Sequence, residues 1–116
     1  MRFENLEVWK LGCRLSVEVF ATFRELKDFG FKDQITRSAL SVPSNIAEGF
    51  ERDSEKEKAR YLRIAKGSLG EFKTQTYIGI KIGYIPIEIG QRWLKTSEDL
   101  GARIGSLITK LTSISP

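Results

Sequence analysis

Apolar and small side chains along this chain return every three or four residues, and no stretch alternates strictly, so the pattern predicts helices and no strands. The most individual stretch runs from Gln34 to Ser54. There Ile35, Ala39, Val42, Ile46 and Phe50 recur at steps of four, three, four and four, giving one apolar helix face. Pro43 stands inside that rhythm. A proline removes one backbone donor and crowds the carbonyl four residues back, here that of Ala39. A kink is therefore expected, with Ser41 and Ser44 placed to take up freed backbone groups.

Four helices are predicted, over about residues 6–26, 32–52, 55–82 and 88–111. In the first, which Asn5 is expected to cap, Leu6, Trp9, Cys13, Val17, Phe20 and Phe23 form one stripe. Val8, Leu11, Leu15, Val19 and Leu26 form a second, about 140° away at roughly 100° per residue, and Lys10, Arg14, Glu18 and Glu25 share the remaining wedge. One wide stripe suffices for a helix of a monomeric bundle, so the second predicts contact with another subunit, the alternative being a helix lodged centrally in one domain. Lys27 to Gly30 reads as a turn, with Gly30 as the left-handed residue that closes a helix. Ser54 and Glu57 form a capping box that starts the third helix.

The third helix aligns Leu62, Ala65, Leu69, Phe72, Thr76, Ile80 and Gly83. Ala65, Gly67, Ser68 and Gly70 crowd its middle at a cost of about 1 kcal/mol per glycine, which predicts close approach of a neighbouring helix. Gly83-Tyr84-Ile85-Pro86 reads as a loop. The fourth helix carries Trp93, Ser97, Leu100, Ile104, Leu107, Ile108 and Leu111, and Thr112 to Pro116 is expected to fray. Short loops make neighbouring helices antiparallel, so the expected fold is all-α, a single up-down-up-down four-helix bundle over residues 1–116 that assembles as a homo-oligomer.

Composition narrows the function classes. The single cysteine, Cys13, excludes an intrachain disulfide and reads as buried filler. Histidine is absent, which removes the commonest general base and metal ligand. Ser38, Ser41, Ser44 and Ser68 have no evident base partner, Glu55 and Glu57 stand in a helix start that favours acidic side chains, and no glycine spacing matches a phosphate-binding loop. No catalytic residue, metal or cofactor is therefore expected. There is no apolar run of membrane-spanning length and the opening Met1-Arg2-Phe3-Glu4 lacks a signal-peptide core, so a cytoplasmic location is expected.

The net charge of +4 favours polyanions only where the charges gather. On the third helix Lys56, Arg60, Arg63, Lys66, Lys73 and Lys81 fall away from the apolar stripe, where a phosphate backbone could lie along them. An ordinary solvated face is the alternative. Tyr61 and Tyr77 stand ready either to stack on unpaired bases or to cover the core. Arg37, Asn45, Glu48 and Glu71 are candidates for a buried polar network that fixes helix register; the alternative puts them on the surface.

Three stretches, F-E-N-L-E-V-W-K, Q-I-T-R-S-A-L-S-V-P-S-N-I-A-E-G-F-E-R and Y-L-R-I-A-K-G-S-L-G-E, resemble the four-helix-bundle proteins encoded in intervening sequences of bacterial 23S rRNA genes. The resemblance covers nearly the whole chain, departing where Lys27-Asp28-Phe29-Gly30 replaces a frequent proline. It implies a four-helix protomer, a homopentamer, and no known enzymatic activity. One similar branch, the accessory variability proteins of diversity-generating retroelements, works with a reverse transcriptase and its RNA through a basic surface. RNA or DNA is thus the implied partner. The leading expectation is a non-catalytic oligomer that binds nucleic acid through basic helix faces, accessory to an enzyme such as a reverse transcriptase. The alternative is a structural or protein-interaction scaffold.

Overall fold

A computed structural model describes residues 2–113. They form a 3-10 turn, Phe3–Asn5, and four helices: α1 (Glu7–Thr22), α2 (Phe29–Phe50), α3 (Glu55–Lys81) and α4 (Ile87–Ser113). No strand occurs among the described residues. The helices pack as a bundle 49 Å long and about 20 Å across, 21 × 19 Å in section. Contacts run around a ring, α1 on α2, α2 on α3, α3 on α4, with α1 meeting α4 along the slightest seam.

Local chemistry explains where the boundaries moved. Asp28 Oδ1 accepts from the Phe31 backbone N–H at 3.1 Å, so α2 is capped three residues earlier than the pattern suggested. Gly30 consequently lies in the first turn of α2 and is not left-handed; among the described residues only Gly83, with φ 84°, takes that conformation, closing α3. Helix α1 stops at Thr22, and the chain from Phe23 to Leu26 continues as a turn. Asn5 does not cap it, because it belongs to the preceding 3-10 turn and Leu6 holds the cap position. Ser54 Oγ does accept from Glu57 N–H at 3.1 Å, while the Glu57 carboxylate turns to Arg60, so half of the capping box forms. Thr112 and Ser113 complete α4; the rest of the stretch expected to fray lies outside the described residues.

The buried face of α1 is Val8, Gly12, Leu15 and Val19, continued by Phe23 just past its end. Val17 and Phe20 of the other stripe are 70% and 62% exposed, as is Phe29 at 70%. At the centre of the core stands Trp93, fully buried, with Phe23 and Phe72 each 5.8 Å away between ring centroids. Phe23 in turn meets Phe31, and Phe31 meets Tyr84, so edge-to-face rings join the α1–α2 connection to the α3–α4 connection. Trp93 Nε1 donates to Glu18 Oε1 at 3.0 Å, and Arg92 pairs with the same carboxylate. Glu18, placed by pattern in a solvated wedge, thus ties α1 to α4.

On the α2–α3 seam Ser38 Oγ donates to Gln75 Oε1 at 2.6 Å, Ser41 and Ser68 share a hydroxyl bond at 2.8 Å, and Gly49 faces Tyr61. Numbers therefore fall on α3 as they rise on α2. Pro43, buried inside α2, lies against Gly12 of α1. Neither flanking serine bonds the backbone freed by the proline: Ser41 bonds Ser68 and accepts from Asn45, and Ser44 is exposed. Of the small residues in the middle of α3, Ala65 is buried and Ser68 meets α2 as expected, but the two glycines do something else. Beside the places where side chains would begin at Gly67 and Gly70 there is no neighbouring atom within 4 Å; both face outward. Close approach occurs instead at Gly49, Gly79 and Gly90.

A Cβ at Gly49 would stand 2.8 Å from Tyr61 Cβ and 3.2 Å from the Lys58 carbonyl, neither of which can swing away, so Gly49→Ala should cost about 1–3 kcal/mol in urea unfolding. Gly67→Ala, with open space and ordinary helical φ, should gain about 0.5–1 kcal/mol in the same assay. Tyr84 Oη donates to Asp28 Oδ2 at 2.6 Å, and this bond, with the Phe31 N–H, holds the Asp28 carboxyl below its ordinary range. A depressed carboxyl contributes stability that is present above its unfolded pKa, about 3.9, and is lost as pH falls through the folded value. Tyr84→Phe should therefore melt lower than the parent chain at pH 7, and the gap should narrow as pH falls below the ordinary carboxylate range.

Candidate nucleic-acid interface

The outer side of the bundle between the first half of α3 and the last half of α4 gathers positive charge. Lys56 and Arg63, with Ala59, Leu111 and Thr112, line one shallow depression. Lys66 and Lys110, with Gly101, Gly105, Ser106 and Thr109, line the next. At 1.5 Å per helical residue, the α3 cations extend over about 15 Å. Among the described residues none of these four cations has a carboxylate within 4.0 Å. Nearby acids are engaged elsewhere: Glu55 with Lys58, Glu57 with Arg60, Asp99 with Arg103. The groove thus keeps its positive field, and its floor of small side chains lets an anionic backbone come close.

Of the six basic residues picked out on the third helix, Lys56, Arg63 and Lys66 share this groove. Arg60 is diverted. Its Nε and Nη2 reach the Glu57 carboxylate at 3.1 and 3.2 Å, and its guanidinium lies 4.6 Å from the Tyr61 ring centre. That pairing pushes the Arg60 guanidinium up and holds Glu57 down. Lys73 is half-buried farther along α3, and Lys81 sits 5.5 Å over the exposed Tyr77 ring toward the opposite end. Tyr61 is half-buried, flanked on a second side by Arg52, whose Nη2 donates to its hydroxyl at 2.9 Å. Lys110 escaped the sequence reading. The signal available was the row Gly101, Gly105, Thr109, small residues every four positions beside it.

The polar network proposed for Arg37, Asn45, Glu48 and Glu71 is not assembled within the protomer. Arg37 pairs with Asp33 at 3.0 Å and Glu48 with Arg52 at 3.0 Å, all four side chains being largely exposed. Asn45 Nδ2 donates to the Ser41 carbonyl and hydroxyl, at 2.8 and 2.9 Å, and Glu71 is exposed. The reason is proximity: Arg37 and Glu48 each find an opposite charge one helical turn away.

Among the described residues no three metal-ligating side chains cluster, and no helix is long and apolar enough to cross a membrane. Cys13 is half-buried rather than buried, beside Arg14 and Val17, and burial pushes its thiol up, away from the reactive thiolate.

Comparison with known proteins places this geometry in a lineage. The family model described as 23S rRNA-intervening sequence protein matches residues 4–106. The chain belongs to that family. Its match ends before Thr109 and Lys110, so the far rim of the groove lies beyond the matched segment. Among solved structures, the fold is shared by a Bacteroides thetaiotaomicron VPI-5482 protein of unknown function from the S23 ribosomal protein family. The two agree with a TM-score of 0.81 at 24% sequence identity, over 87% of this chain and 97% of that one. No curated protein sequence matches this chain.

The exposed pairing of Glu48 sets a measurable bound. Glu48→Gln should shift unfolding free energy by no more than about 0.5 kcal/mol, as exposed i,i+4 pairs do; a loss of about 3 kcal/mol or more would mean a buried ion pair.

Proposed function

We propose that this member of the 23S rRNA-intervening sequence protein family is a non-catalytic, cytoplasmic homo-oligomer that binds nucleic acid, RNA foremost, through the α3/α4 groove. The observation that carries the reading is the set of four cations, Lys56 and Arg63 in one depression and Lys66 and Lys110 in another, all on α3 and α4 and without a carboxylate within 4.0 Å among the described residues. Phosphates neutralise such a set by releasing condensed counterions, an affinity independent of base sequence. The protomer in this reading is an antiparallel up-down-up-down bundle, supported by contacts whose numbering runs oppositely on α2 and α3 and on α3 and α4, and its bend at Pro43 rests on the helix chemistry of proline. Assembly into a homo-oligomer is supported by the open apolar surface of Val17, Phe20 and Phe29, and the number five rests on the sequence resemblance alone. An accessory role beside a reverse transcriptase or similar enzyme rests on the sequence resemblance alone.

Fluorescence anisotropy with structured RNA and single-stranded DNA tests binding. Affinity should fall linearly on logarithmic axes as salt rises, by about 0.7–0.9 per phosphate contacted. Alanine at Arg63, Lys66 and Lys110 together should weaken binding broadly and flatten that slope, whereas Arg60→Ala should do less because Glu57 already holds it. No affinity even at low salt would overturn the reading in favour of a protein-interaction scaffold. Light scattering behind a sizing column tests assembly: a mass several times 13.2 kDa is expected, and a monomer at micromolar concentration would contradict it.

A further inference from the structure

We infer that the α3/α4 groove is built for double-stranded RNA held by its sugar–phosphate backbone, an assignment that rests on the groove being a nucleic-acid site. Proteins that hold single strands supply aromatic faces on which unpaired bases stack. The residues lining the two depressions supply none: they are cations, small side chains, hydroxyls, and Leu111. Neither candidate tyrosine is free to serve. Tyr61 packs its Cβ toward Gly49 on the α2 side, with its ring engaged by Arg52 and Arg60. Tyr77 stands with Lys81 toward the opposite end of α3. A single strand laid here would leave its bases without partners, whereas a duplex arrives with its bases already stacked and presents only phosphates and sugars.

The layout of the groove agrees with that form of ligand. Three cations follow α3 over about 15 Å, and Lys110 of α4 shares the second depression with Lys66 while also bordering Leu6, Glu7 and Val8, so a fourth charge stands to one side of the α3 row. A wide, shallow A-form minor groove offers phosphates along both edges with sugars between them. Beside the α3 row the surface is low. No atom lies within 4 Å of where a side chain would begin at Gly101, and at Gly105 the nearest is Lys66 Nζ at 3.5 Å. Hydroxyls complete the floor. Thr109 Oγ1 donates to the Gly105 carbonyl at 3.1 Å and Thr112 Oγ1 to the Ile108 carbonyl at 2.8 Å. With their protons so committed, both oxygens keep lone pairs for an incoming donor. A ribose 2′-hydroxyl is such a donor, and deoxyribose has none.

Anisotropy on the full chain with three labelled probes of one sequence tests the inference: an RNA duplex of about 16 base pairs, one of its strands alone, and the DNA duplex. The RNA duplex should bind about tenfold tighter than the single strand, and tighter than the DNA duplex. Gly101→Leu should fold at least as well as the parent, since its side chain enters open space and favours the helix, yet should lose about tenfold in duplex affinity by raising the floor. Single strand or DNA duplex bound as tightly as RNA duplex, or unchanged duplex binding by Gly101→Leu with unaltered circular dichroism, would overturn the assignment while leaving a nucleic-acid site. Failure of all three probes at low salt would overturn the site itself.

Discussion

The ring of Pro43 laid against the backbone of Gly12 is the contact on which the placement of α1 depends. A Cβ at Gly12 would reach 3.4 Å from Pro43 Cβ and Cδ, so a methyl just touches and anything longer must push the helices apart. Proline suits this position because its face needs no hydrogen-bond partner, and glycine suits the other because it lets backbone meet ring. The remaining seam of α1, against α4, is slight, and its polar tie is the Glu18 carboxylate shared by Trp93 and Arg92. Buried Val8, Leu15 and Val19 extend that packing along the length of α1.

From that contact the division of labour among the helices follows. Helix α2 turns Pro43 to α1 and Ser38, Ser41 and Gly49 to α3, so its inward faces are committed to structure. Helices α3 and α4 pack through Phe72 on Trp93 and Ile80 on Gly90 toward the aromatic end, where Gly79 admits Ile85 of the connection and Phe31 of α2. At the opposite end they leave a groove between them. The small residues thus divide in two: those facing inward permit close packing, and Gly67, Gly70 and Gly101 cost helix propensity with nothing in the protomer above them. The unmatched cations stand on the same outward side.

Much of the fold was legible because helical rhythm is a property of one segment read alone. Ile35, Ala39, Val42 and Ile46 are buried as their spacing required, and Ser54 opens α3 where its side chain accepts a backbone proton. What depends on pairing between distant segments was not legible. Ser41 and Ser68 meet across a seam, and Glu18 finds Trp93 75 positions later, with no local pattern to announce either. The opposite error arose with Arg37 and Glu48, where partners were sought far away while Asp33 and Arg52 waited one turn off. The site was half legible for the same reason. Lys56, Arg63 and Lys66 share a helix and could be read together, whereas Lys110 joins them only because α4 folds alongside.

Glycine amides report the division of inner from outer surface most directly. In transverse-relaxation-optimised NMR spectra of the deuterated chain, adding an RNA duplex should move the signals of Gly101 and Gly105, with Gly67 and Gly70 beside them. Gly12 and Gly49, enclosed in the α1–α2 and α2–α3 seams, should stay in place. Shifts confined to α1 and the start of α2, with the α4 glycines unmoved, would contradict the account.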